Sequence, residues 1–262
     1  MERGALIGQG RTAEIYAWGE GQVIKLYRTE MAQEWAEREA RVGRIAAAAG
    51  LQVPSIGDTI VVDGRPGILY ERVDGLSMLE QLVRRPWQYA ALARQFAGLH
   101  AAMHRCSSPE LLPLRADYGG RVRYAPRLSD AAKEGLLQAL DRLPDGDAIC
   151  HGDFHPDNVI LSARGPLVID WMTALRGDPA ADVARTVLIF RVSPLPPGTG
   201  IVKRMLAQLL RRAFLSHYLQ EYVRLRPLRD EEVEAWMPIV AAARLNERIP
   251  GEESALLRLV ER

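Results

Sequence analysis

Eight consecutive residues concentrate groups able to do chemistry: His151-Gly152-Asp153-Phe154-His155-Pro156-Asp157-Asn158. The apolar run Val159-Ile160-Leu161 follows. Twelve residues after Asn158 stands Asp170, in Val168-Ile169-Asp170-Trp171. A carboxylate at position 153 can reach for the proton of a hydroxyl. An amide oxygen at Asn158 and a second carboxylate at Asp170 are hard oxygen donors, of the kind Mg²⁺ takes beside water and phosphate. Phosphoryl transfer needs little more than this, because its demand is for a phosphoryl group, an acceptor oxygen and a metal held in line. A tight loop between two short strands can aim all three groups at one place. Asp, Asn, Gly and Pro also populate ordinary turns. The signal is therefore the joint spacing and not any one residue.

A second segment, Gly8-x-Gly10-x-x-Ala13, lies between two strand-like runs. Glycines let backbone approach a phosphate closely, although a plain hairpin turn reads the same way. Lys25 follows on the next strand. It is one of only three lysines, with Lys133 and Lys203, in a chain whose other basic side chains are arginines. A strand lysine in such a chain points to a use for its compact ammonium.

The form His-Gly-Asp-x-His-Pro-x-Asn with Ile-Asp-Trp resembles the aminoglycoside phosphotransferase and choline kinase family, over roughly residues 6–185. The resemblance implies an α+β, bilobal, protein-kinase-like fold. A small β-rich N-lobe with one long helix, residues 1–74, would bind ATP. A larger, mainly α-helical C-lobe, residues 75–262, would hold the catalytic and acceptor groups. It implies Asp153 as the catalytic base and Asn158 and Asp170 as ligands of Mg²⁺. Gly8, Gly10 and Lys25 would lie at the ATP phosphates. Glu39, in Arg38-Glu39-Ala40, fits the lysine's partner better than Glu34 or Glu37, beside the alternative that all three are solvated helix-face charges. Backbone groups of Glu71 and Val73 would meet the adenine. Asp178, before Pro179, reads as a helix cap, and Asp182 as a brace for the catalytic loop. Ala13 departs from the family's third glycine.

The implied activity is transfer of the γ-phosphate of ATP to a hydroxyl of a small molecule. Two other readings stand beside it: a nucleotide-binding regulator without chemistry, and a protein kinase. The presence of Lys25, Asp153, Asn158 and Asp170 weighs against the first. His-Gly-Asp in place of His-Arg-Asp, Trp171 in place of Phe and the lack of an Ala-Pro-Glu segment weigh against the second.

The elements that must position these groups are legible in outline. Strand patterns cover residues 5–7, 13–18 and 23–27, then a hairpin of 53–62 and 67–73 around Asp63-Gly64. A helix is expected over 31–49, ended by Gly50. Asp74-Gly75 breaks the pattern. Helices follow at 77–84, 87–104 and 130–143, with 107–126 rich in loops. A β-rich island spans 148–150, 159–161 and 167–169. Helices close the chain at 180–191, 200–224, 230–248 and 252–261.

The 262 residues are 48% hydrophobic and 26% charged, enough for a sizeable core. A formal net charge of +1 gives no global attraction to nucleic acid or anionic membrane. No run reaches the roughly 20 apolar residues of a bilayer span, and the first residues lack a secretory pattern. The expected setting is cytoplasmic, with a small hydroxyl acceptor as partner, in a monomer or homodimer. Cys106 and Cys150 form no pair of motif spacing. A Cys150–His151 nucleophile is disfavoured, since neighbours on a strand face opposite ways. His100 and His104, at i and i+4, lack the glutamate of a zinc helix and read as packing groups. The acceptor stays open. Acids at 230–232, 234, 247 and 252–253 would suit a polycation, with Arg244, Arg248 and Arg258 near enough to neutralise them. Tyr218, Tyr222 and Trp236 would suit a quaternary ammonium.

Overall fold

The computed structural model describes residues 3–28, 32–195 and 198–261. In chain order, the strands β1 (Arg3–Gln9), β2 (Ala13–Trp18) and β3 (Gln22–Tyr27) lead into helix α1 (Ala32–Ala48). Then come β4 (Ile56–Val62), β5 (Arg65–Glu71), β6 (Gly75–Ser77), α2 (Met78–Arg84) and α3 (Tyr89–Met103). Helices α4 (Leu114–Arg123) and α5 (Asp130–Arg142) precede β7 (Ala148–Cys150), β8 (Val159–Ser162), β9 (Gly165–Val168) and β10 (Leu175–Gly177). The chain closes with α6 (Pro179–Val192), α7 (Ile201–Leu225), α8 (Asp230–Leu245) and α9 (Glu253–Val260). The expected start of the first long helix, Met31, lies outside the described residues. Among the described residues, no helix is long and apolar enough to cross a membrane.

The chain forms two compact units. One is Met1–Glu80 with Pro156–Ala174; the other is Gln81–His155 with Leu175–Arg262. The expected single division at residue 74 differs from this. The reason is a strand the sequence hides: β6 pairs antiparallel with β8, so the chain returns to the first unit after residue 155. Gly75 had read as a breaker, yet it opens this strand. A Cβ there would meet the Leu161 carbonyl oxygen at 2.4 Å. Gly75→Ala should therefore cost about 1–3 kcal/mol, read as a lowered midpoint in urea. Gly10→Ala, where a Cβ meets nothing nearer than 3.6 Å, should leave the midpoint nearly unchanged.

In the first unit, five antiparallel strands run in the order β1-β2-β3-β5-β4. The alternation of β3 divides its side chains between two faces. Ile24 and Leu26 join Trp18 in one buried cluster. Tyr27 faces the other way, with Ala13, Ile68 and the α1 residues Ala36 and Ala40. Lys25 shares the parity of Tyr27 and so turns toward α1. On α1, residues 36, 39 and 40 lie on one stripe, which puts Glu39 between two buried alanines. Strands β6, β8 and β9 form a second, three-stranded sheet of this unit.

In the second unit, β7 and β10 pair antiparallel within a helical body. Helix α6 is buried over most of its length. Phe96 of α3 stacks on Phe154 with ring centroids 4.1 Å apart. Helix α4 falls where loops were expected. Gly119 and Gly120 weaken its local signal, but Leu114, Tyr118 and Val122 are buried along it, so packing overrides propensity.

Candidate active site

In the first unit, the sequence-predicted residues Lys25, Glu39 and Asp170 meet. Lys25 Nζ donates to Glu39 Oε1 at 2.8 Å and Oε2 at 2.7 Å, and to Asp170 Oδ1 at 3.2 Å. Glu39 is 2% exposed and also accepts from the hydroxyls of Tyr27 and Tyr70, the latter at 2.8 Å. These two tyrosines were not foreseen. Parity could have found both, since Tyr27 is two residues from Lys25 and Val23 of the same strand pairs with Tyr70. Burial opposes the Lys25 ammonium, but the Glu39 and Asp170 charges outweigh it and hold the pKa above the ordinary lysine value. Burial and then Glu39 push the Tyr27 hydroxyl up, so it stays a donor. The lysine is thus permanently cationic and fixed.

Asp170 holds a left-handed backbone, φ 64° and ψ 59°, just after β9. A non-glycine residue held there is strained, and such strain concentrates at working sites. Its neighbour Ile169 donates to the Asn158 carbonyl at 3.0 Å. That bond ties together the two stretches carrying the amide and carboxylate oxygens suited to a hard cation, and Asn158 is 7% exposed. The Ser77 hydroxyl donates to Asp157 at 2.7 Å, securing the same turn.

Gly8 lies opposite Ile15, next to an irregular register between β1 and β2, and the Gly10 amide donates to the Ala13 carbonyl. A Cβ on Gly8 would meet nothing nearer than 3.7 Å. The fold itself therefore has no steric need of these glycines. At the end of β5, the Glu71 amide donates to Ser55 and the Arg72 amide to Gly21, both at 2.9 Å. The Glu71 side chain pairs with Arg164. The Val73 amide meets no acceptor among the described residues.

Asp153 belongs to the second unit. Its Oδ1 lies 3.4 Å from Arg185 Nη2 and 3.8 Å from Arg244 Nη1; its Oδ2 lies 3.4 Å from His155 Nε2. Burial raises the Asp153 pKa, but His155, Arg185 and Arg244 together bring it well below the usual carboxylate range. Both arginines are nearly buried and shared with Glu247, at 2.5 Å from Arg185 and 3.2 Å from Arg244. Sequence reasoning missed Arg185, although it lies one turn beyond Asp182 on α6.

Asp182, fully buried, accepts the His151 amide at 2.6 Å and the Gly152 amide at 2.8 Å. Gly152 sits at φ 77°, a conformation that costs a glycine little. The same carboxylate meets Nε2 of His100 at 3.1 Å and of His104 at 3.3 Å. Each ring's Nδ1 lies against a hydroxyl, Tyr218 at 2.8 Å and Tyr222 at 2.6 Å. The two histidines and Asp182 could hold a metal ion by spacing alone, but hydrogen bonds occupy every ring nitrogen. Both tyrosines are spent in this network rather than facing a ligand. Trp236 likewise donates its indole N–H to Asp178. Cys150 is buried, and desolvation pushes its thiol well up, so it stays protonated and inert.

A family model described as the phosphotransferase enzyme family matches residues 4–228. Acyl-CoA dehydrogenase family member 10 of Mus musculus is 31% identical over 179 residues, 59% of this chain; the match spans 17% of that relative's length. Among solved structures, the chain is similar to an aminoglycoside-3′-phosphotransferase of type VIII, with a TM-score of 0.64 at 19% identity over 92% of this chain and 93% of that one. It is similar to aminoglycoside phosphotransferase APH(4)-Ia in its ternary complex with AMP-PNP and hygromycin B, with a TM-score of 0.69 at 15% identity over 98% and 91%. It is also similar to an amicoumacin kinase in complex with AMP-PNP and Ca²⁺, with a TM-score of 0.64 at 13% identity over 98% and 86%. At these identities the structures establish a shared fold. With the family match running through both stretches that carry the site, the chain belongs to the phosphotransferase enzyme family.

Proposed function

We propose that this protein transfers the γ-phosphate of ATP to the hydroxyl of a small molecule, with Asp153 as the base. The observation that carries the reading is Lys25, fixed by Glu39 and Asp170, since a rigid buried ammonium is a ready partner for phosphate oxygens. Gly8 and Gly10 would give the phosphates close backbone approach. The Glu71 carbonyl and Val73 amide would serve the adenine; the Glu71 amide is already taken. Asn158 and Asp170 suit Mg²⁺ as a donor set, both offering oxygen, and the ion would supply charge neutralisation at the phosphates when bound. In the reaction, the acceptor oxygen bonds to the γ-phosphorus and the bond to the ADP oxygen breaks. The acceptor's proton passes to Asp153 and then to water.

Asp170→Ala should weaken Mg·ATP binding by roughly tenfold or more, in line with loss of a charged contact. The Lys25–Glu39 pair should remain. Titration calorimetry checks the first and thermal melting the second. The activity itself is tested by ADP release with Mg·ATP across hydroxyl acceptors and generic protein substrates. Release with proteins alone would turn the reading to a protein kinase. Stabilisation by Mg·ATP without release across a broad panel would favour a nucleotide-binding regulator.

A further inference from the structure

The second unit contains a cavity of about 440 Å³, within the range of small-ligand sites. Its charged lining is Arg127, Arg244, Arg248 and one acid, Glu253; Leu245 and Leu256 contribute apolar wall. Arg244 links this cavity to the base, since its Nη1 lies 3.8 Å from Asp153 Oδ1.

The acids that would make this region attractive to a polycation are already neutralised. Glu252 is 1% exposed and closed on Arg244 at 2.5 and 2.9 Å. Glu247 is held by Arg185 and Arg244. Glu253 meets Arg127 at 3.5 Å, an exposed pair of small worth. Arg248 is exposed and has no carboxylate within ion-pair distance among the described residues. The backbones of Arg127 and Arg248 are both left-handed, at φ 67° and 49°. Both side chains line the one cavity.

We propose that the acceptor is a small alcohol carrying an anionic group, carboxylate or phosphate, which sits in this cavity against Arg248 and Arg127 while its hydroxyl reaches Asp153. The inference rests on the phosphotransferase reading for the fate of that hydroxyl: the phosphate ester forms there, ADP leaves and the proton passes to Asp153. Arginine suits the anion because its planar fork pairs with carboxylate or phosphate oxygens in two parallel bonds. The apolar wall formed by Leu245 and Leu256 would take the carbon chain.

The test uses matched acceptors: 3-hydroxybutyrate and glycerol 3-phosphate as anions, 1,3-butanediol as the neutral relative and 3-amino-1-butanol as the cation. Saturable binding is measured by NMR titration without nucleotide, and ADP release is measured with Mg·ATP. At least one anion should bind roughly tenfold or more tightly than the neutral and cationic relatives, as a charge-assisted bond allows. Which anion leads identifies the group. Arg248→Glu should erase that preference while leaving stabilisation by Mg·ATP unchanged. Equal or better binding of the neutral or cationic relative overturns the inference. So does an anion preference that survives Arg248→Glu, or an absence of saturable binding by every compound. Anion binding that depends on Arg248, without ADP release from any acceptor, would count against the phosphotransferase reading and not against the anion site.

Discussion

Asp153→Ala is expected to lower kcat/KM by roughly 10²–10⁴-fold, the usual worth of a positioned base, with Mg·ATP affinity nearly intact. Asp153→Asn should lose as much, because the amide keeps the shape and cannot take a proton. Steady-state kinetics beside calorimetry separates the two effects; normal turnover in either variant would remove the assigned role. The surroundings of Asp153 add a second expectation. Burial opposes its ionisation, but His155, Arg185 and Arg244 hold its pKa well below the usual range. It is therefore ionised at every pH where the protein is handled, and no acid limb of the rate profile above about pH 4 should come from it. In the proposed reaction so weak a base would accept a proton only late, when the acceptor oxygen is already bonding to phosphorus. A loose transition state would permit so late a transfer.

Asp182→Ala should have the largest effect on stability. Four donors converge on this carboxylate: two backbone amides and two imidazoles. Removing it strands them all in a fully buried place. Breaking a buried charged centre costs about 3–5 kcal/mol, or a fall in Tm of roughly 10 °C at 2–4 °C per kcal/mol. Activity should fall too, because His151 and Gly152 lead directly into Asp153. A variant that melts like the wild type would show that the network does not bear load. The same network sets a pH dependence. Burial, and then the neighbouring His104, lower the His100 pKa to about 4. The unfolded chain binds a proton below about pH 6.5, which the folded ring refuses until about pH 4. Stability therefore drops as pH falls through that window, by about 1.4 kcal/mol per pH unit from this residue. Asp182, with its pKa depressed, contributes stability above the unfolded aspartate value and loses it at lower pH still. Melting curves at pH 7.5, 5.5 and 4.5 check the slope.

The sequence disclosed these groups unevenly, for physical reasons. The spacing of Asp153, Asn158 and Asp170 was readable because loop chemistry is local. Lys25 and Glu39 could be paired in advance through the family resemblance, and the strand and helix parity that explains their meeting was present in the letters. Arg185 and Arg244 were not legible as partners of Asp153. Each sits in a run that reads as ordinary helix, and only packing shows what a buried arginine faces. Strands β6 and β10 were missed because each is three residues long and one of the three is a glycine, Gly75 or Gly177, which carries little strand signal. Helix α4 was missed because its stability comes from the residues it buries and not from its own propensity.

The return of the chain to its first unit at Pro156 bears on how the protein is made. Synthesis delivers β1 to β6 early, yet the partner of β6 is β8. At about 5–20 residues per second, the residues between them hold the first unit incomplete on the ribosome for several seconds or more. During that wait β6 presents an unpaired edge to other nascent chains. A truncation ending at Glu80 freezes the same state, so it should aggregate, while fusing residues 156–174 behind it should restore a soluble unit.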